Sequence, residues 1–144
     1  MRAFYAHTRA TPDEVIDASK MRLQALLSEA VGDSTVIPGR DDFQDRSALE
    51  GGWKGWLHSV HSGTMPDGEP RFELLLVPDA VVGKATAQMI EGFLDAGKPV
   101  MFWNGLERFA YVVSLNVLPD GNWKQYAEVV ISDRNGSTYV ASRL

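Results

Sequence analysis

The histidines, carboxylates and tryptophans of this chain fall into a few groups whose spacing can be weighed as chemistry. His58 and His61 stand three apart, a separation that puts two imidazoles on one side of a helix, and His7 could join them around a metal ion. The plainer reading is two surface histidines on the polar side of a helix whose other face carries Trp53 and Trp56, so no metal site is expected. Both tryptophans could stack on a nucleobase, yet their spacing with Leu57 and Val60 is that of a core stripe, and one ring can serve both purposes. Asp41, Asp42 and Asp45 form an acidic group able to hold a ribose hydroxyl or a divalent cation, although acids in a connection are ordinarily just solvated. Gly83-Lys84-Ala85-Thr86 has an outline of the nucleoside-triphosphate loop, but Pro78 replaces the upstream glycine and Ala85 the magnesium-binding hydroxyl. His7 to Thr11 holds no glycine, so the dinucleotide fingerprint is absent too. No serine lies in a nucleophile elbow, and no acid and histidine pair has motif spacing.

These residues need elements to position them. With 144 residues, 44% of them hydrophobic, the chain suits a single domain over residues 1–144 with one real core. The absence of cysteine excludes disulfides, thiolate nucleophiles and iron–sulfur ligation. A formal charge of −5 without a basic cluster argues against duplex nucleic acid as partner. No apolar run approaches the length of about 18 residues that a membrane helix requires, and the amino terminus does not read as a secretory signal. The expectation is a cytoplasmic protein with small-molecule partners and no cofactor.

Arg2 to Ala6 reads as a buried strand, and Thr11-Pro12-Asp13-Glu14 as a helix start with Thr11 capping and Glu14 completing a capping box. Val15, Ala18, Arg22, Leu23, Leu26, Leu27 and Ala30 recur at helical spacing until Gly32. Thr35 to Ile37 is a brief second strand, followed after Pro38-Gly39 by a charged connection from Arg40 to Arg46. The spacing predicts a helix from Gly52 to about Ser62, a strand over Phe72 to Val77, a helix from Ala85 to Leu94 ending at Gly97, and a strand over Val100 to Trp103. Such a β-α-β-α-β-α-β order, with right-handed crossovers, gives an open parallel sheet with helices on both faces. After residue 104 the pattern changes to three strands, Phe109 to Leu118, Lys124 to Ser132 and Thr138 to Ala141, joined by the turns Pro119 to Asn122 and Asp133 to Gly136. The predicted class is therefore α/β: an open, mostly parallel, Rossmann-like or flavodoxin-like sheet over residues 1–104, with an antiparallel extension over residues 105–144. Ligands of such folds bind beyond the strands' carboxyl ends. Ala6 to Arg9, Gly39 to Asp42, Pro78 to Lys84 and Asn104-Gly105 converge there, and Gly83 with Lys84 at a helix amino terminus could hold a phosphate.

The pattern resembles the nucleoside 2-deoxyribosyltransferase-like family over roughly the first hundred residues. It is carried by Phe4-Tyr5-Ala6-His7 closing the first strand, Phe72 to Asp79 as a central strand ending in an acid, and Ala96-Gly97-Lys98-Pro99-Val100 leading into the fourth. The resemblance implies a glutamate nucleophile on the third helix that attacks an anomeric carbon, with a second acid assisting departure of the base. Asp79 fits the second acid, and Tyr5, His7, Asp41 and Asn104 fall where family members contact sugar or base. The expected nucleophile position holds Met89 or Gln88, and the helix's only glutamate is Glu91.

Two functional expectations follow. In the first, the chain binds a nucleoside or nucleotide without turnover, with His7 and Asp41 at the sugar, Gly83 and Lys84 at any phosphate, Tyr5 or Trp56 beside the base, and Arg40, Gln88 and Asn104 as further ligand-binding residues. Short proteins of this build, often carried by phages, extend that to capture of a nucleotide signal such as an NAD-derived cyclic species. In the second, Glu91 as nucleophile and Asp79 as acid transfer or hydrolyse an N-glycosidic bond. Related folds often build sites between subunits, so at least a homodimer is expected.

Overall fold

The structure, a computed structural model, describes residues 1–44, 51–77, 84–103, 109–117, 127–132 and 138–141. Asp45, Asp79, Gly83, Asn104 and the two turns at 119–122 and 133–136 lie outside the described residues. Four strands, β1 (Arg2–Tyr5), β2 (Thr35–Pro38), β3 (Leu74–Val77) and β4 (Val100–Trp103), pair in parallel in the order β2-β1-β3-β4. Helices α1 (Asp13–Val31), α2 (Gly39–Gln44), α3 (Gly52–Ser62) and α4 (Lys84–Asp95) fill the connections. The chain is thus α/β, with an open parallel sheet and flanking helices. Pro38 closes β2, which as an edge strand of the sheet tolerates the missing N–H. Past Trp103, the backbone of β5 (Phe109–Val117), β6 (Ala127–Ser132) and β7 (Thr138–Ala141) follows β4 in turn with antiparallel pairing.

Strand side chains alternate between the two faces, and the core divides accordingly. Ala3, Tyr5, Leu74, Leu76 and Met101 pack with Val36 and with Ile16, Leu23 and Leu27 of α1. Phe4, Leu75, Val77 and Val100 face the other way, onto Trp56 and Val60 of α3 and Ala87, Ile90 and Phe93 of α4. All four side chains of β3 are buried, which is why this central strand reads as an unbroken apolar run. Phe72, ahead of the strand rather than in it, still belongs to the core, and its ring meets Phe4 edge-on at 5.2 Å.

Three local expectations are corrected. The inward stripe of α1 is Ile16, Leu23 and Leu27 with Leu26 beside it, while Val15 is 49% exposed. Leu23, Leu26 and Leu27 of the expected stripe thus face inward, and its amino-terminal end shifts from Val15 and Ala18, both exposed, to Ile16. Thr11 does not cap α1: its hydroxyl shares a 3.0 Å hydrogen bond with Thr8, and the carbonyl of Pro12 accepts the first helical N–H groups, from Val15 and Ile16. The charged connection after β2 is itself helical from Gly39 to Gln44. At the start of α3, Gly51 and Gly52 have φ of 91° and 61°, left-handed values that favour glycine, so the pair forms the entry turn of the helix.

Candidate functional site

The strand order places a reversal of direction between β1 and β3, since β1 connects to β2 on one side and β2 returns across to β3 on the other. Crevices open at the carboxyl ends of strands at such points. The N–H of Ala6 still pairs with the carbonyl of Leu76 at 3.0 Å, and the chain then leaves the sheet through His7. His7 Nε2 accepts the backbone N–H of Arg40 at 2.9 Å. That assigns the imidazole proton to Nδ1, which donates to the carbonyl of Thr8 at 2.9 Å. Both ring nitrogens are thereby used inside the protein, and His7 ties the end of β1 to the start of α2. Gly39 makes the approach possible, because a Cβ there would lie 3.2 Å from Phe4 Cζ and 3.7 Å from His7 Nε2.

Arg40 fans its guanidinium over three carboxylates, Asp41 at 2.9 Å, Asp13 at 3.1 Å and Asp17 at 2.7 Å. Those partners, Asp41 foremost, push its already high pKa further up. Arg40 and Asp41 therefore fasten the first turns of α1 to α2. Asp42 turns the other way, accepting from Trp56 Nε1 at 2.8 Å and from Arg71, which also donates to Ser59. Tyr5 and Trp56, 2% and 4% exposed, are core residues on opposite faces of the sheet.

Trp53, by contrast, is partly exposed. Its ring lies 5.0 Å from that of Trp56, and the guanidinium of Arg9, from the loop after β1, sits over it at 5.9 Å. Trp53 also forms part of the wall of a groove of about 480 Å³ between α3 and α4, which Leu57 and His61 continue on α3 and Gln88, Glu91 and Asp95 face from α4. Met89 points away from that groove into the core. His61 lies against Gly92, where a Cβ would be only 2.3 Å from His61 Cδ2. The pKa of His61 is pushed down, first by burial and then by the neighbouring His58 and Lys98, with Asp95 opposing. Lys98 Nζ donates to the backbone carbonyl of His61 at 2.8 Å, and burial lowers the pKa of this lysine as well.

Of the sequence candidates, the structure groups His7, Arg40 and Asp41 at the β1–β2 edge, and Gln88 with Glu91 in the groove. Lys84 is the first residue of α4. Among the described residues no group of three histidines and carboxylates could hold a metal, and no helix is long and apolar enough to cross a membrane. Sequence reasoning missed the Arg9–Trp53 contact and the groove. One signal for the groove was present: Gly92 stands inside a helix, where glycine costs about 1 kcal/mol relative to alanine unless close approach requires it. In comparisons with known protein families, curated proteins and solved structures, nothing matches this chain.

Proposed function

We propose that this protein binds a nucleoside or nucleotide-like molecule from the carboxyl edge of the parallel sheet into the α3–α4 groove, and does so without turnover. One observation carries the reading. Trp53 is common to both places, lying beneath Arg9 of the edge loop while lining the groove, whose volume is in the range of small-ligand sites. A base on Trp53 gains stacking, and Arg9 with Lys54 on the rim supplies positive charge for a phosphate. The reading without turnover is supported by Gln88 and Met89 at the expected nucleophile position, since neither an amide facing the groove nor a buried thioether attacks an anomeric carbon as a carboxylate does. The same reading takes the fold as Rossmann-like and similar to the deoxyribosyltransferases, with the strands after Trp103 as its antiparallel extension, and takes the protein as cytoplasmic and at least dimeric.

A second reading is favoured by the position of Glu91, which lines the same groove and is a carboxylate. There it would act as nucleophile with Asp79 as acid, breaking an N-glycosidic bond. Incubation with nucleosides, nucleotides and NAD-derived cyclic nucleotides, followed by chromatography of the supernatant and of ligand released on heating, separates the two. Depletion of a compound that is recovered unmodified, and lost as an effect in Trp53→Ala, supports the binder. Release of free base, abolished in Glu91→Gln, establishes the glycosidic reaction instead, and no depletion of any compound removes both.

A further inference from the structure

Resting on the nucleoside reading above, we infer that the α3–α4 groove selects a nucleobase bearing an exocyclic amino group over its keto counterpart, with Glu91 and Gln88 as the specificity-determining residues. The two walls differ in kind. Trp53 and Leu57 of α3 offer an apolar, partly aromatic surface, suited to the face of a planar ring. Gln88, Glu91 and Asp95 on α4 follow one another at three and four residues, so they share one side of the helix and present a polar edge along the groove. Between them Gly92 and Ala96 add almost no bulk, and the seating of His61 on Gly92 fixes the separation of the helices at that level. A flat molecule with one hydrogen-bonding edge matches this arrangement: face on Trp53, edge toward α4.

The edge it must present follows from the donors and acceptors available. A carboxylate only accepts, whereas the Gln88 amide both donates and accepts. Glu91 and Asp95 are both exposed, and a carboxylate carries several lone pairs, so each has acceptor capacity to offer. Burial disfavours the charged form of His61, and Lys98 is engaged with the His61 carbonyl. An amino group donates to Glu91, and the adjacent ring nitrogen of adenine or cytosine pairs with the Gln88 amide. A keto oxygen in the same position would face the Glu91 oxygens, two acceptors without a proton between them.

The test is the affinity of the full chain for two matched pairs, adenosine against inosine and cytidine against uridine, by calorimetry or equilibrium dialysis. The amino member of at least one pair is expected to bind tighter by about tenfold or more, the scale of one hydrogen bond exchanged for an unpaired acceptor. Glu91→Gln supplies an amide N–H at nearly the same position and is expected to reduce that ratio to near unity, by weakening the amino ligand and admitting the keto one. Glu91 is exposed, so the variant should fold, which circular dichroism checks. Measurable binding with equal affinity within both pairs, or a ratio unchanged in Glu91→Gln, overturns the inference while leaving the nucleoside reading standing. Failure of all four nucleosides and of their nucleotides to bind overturns the nucleoside reading, and the inference with it.

Discussion

The contact of His61 on α3 with Gly92 on α4 gives a quantitative test of how the groove is built. Adding a Cβ at Gly92 would place it 2.3 Å from Cδ2, 2.7 Å from Cγ and 2.8 Å from Nε2 of His61, so the ring or the helix must move. Overpacking of this kind costs about 1–3 kcal/mol. Replacing an interior helical glycine by alanine contributes about 1 kcal/mol in the other direction. Gly92→Ala should therefore destabilise the native chain by roughly 0–2 kcal/mol. In a His61→Ala background the obstruction is gone, and the same substitution should stabilise by about 1 kcal/mol. The difference is a coupling energy of about 1–3 kcal/mol, within the range seen for residues in contact. Urea unfolding followed by tryptophan fluorescence, on the four proteins of this double-mutant cycle, measures it directly. Equal stabilisation by Gly92→Ala in both backgrounds would show that His61 does not sit on Gly92, and the account of the groove would fail.

Two further outcomes follow from the same geometry. Burial, with His58 and Lys98, lowers the pKa of His61 in the folded chain beneath its ordinary 6.5, so the unfolded chain takes up this proton first as pH falls. The corresponding stability is fully present above 6.5 and is lost as pH drops through 6.5 toward the folded value; melting temperature against pH should show a decline there that is shallower in His61→Gln. In α2, Asp42, with its side chain 9% exposed, accepts from both Trp56 of α3 and Arg71. Asp42→Ala leaves an indole N–H and a guanidinium without their acceptor and should cost about 2–4 kcal/mol, with Asp42→Asn retaining part of it. A loss below about 1 kcal/mol in urea unfolding would mean that water replaces the carboxylate there.

The limits of α3 and β4 could be read from the sequence because they depend on near neighbours. Trp53, Trp56, Leu57 and Val60 recur with the helical period, and Val100 to Trp103 is a short apolar run after a helix stop. The same logic misplaced only the amino-terminal end of the inner face of α1, since an apolar count cannot tell Val15 from Ile16 when both lie near the boundary of the stripe, whereas Leu23, Leu26 and Leu27 face inward as read. At the candidate site, residue type suggested ligands and tertiary structure assigned partners. His7 stood at the end of β1 as expected, but the N–H of Arg40, thirty-three residues away, fixes its tautomer and occupies Nε2. Arg40 and Asp41 looked like free charges in a loop, and instead they close on each other and on α1.

By itself, then, the sequence determined the succession of strands and helices apart from the short α2, and the parallel sheet they imply, because periodicities of two and 3.6 are written in adjacent residues. Only the tertiary structure decided that Trp53 joins the sheet edge to a groove, that Glu91 faces that groove while Met89 turns into the core, and that His61 rests on Gly92. Those contacts link residues far apart in the chain, and they depend on how α3 and α4 dock together on one face of the sheet. Docking is set by the shapes of whole faces, Gly92 and Phe93 included, and no local pattern around any one of these residues records it.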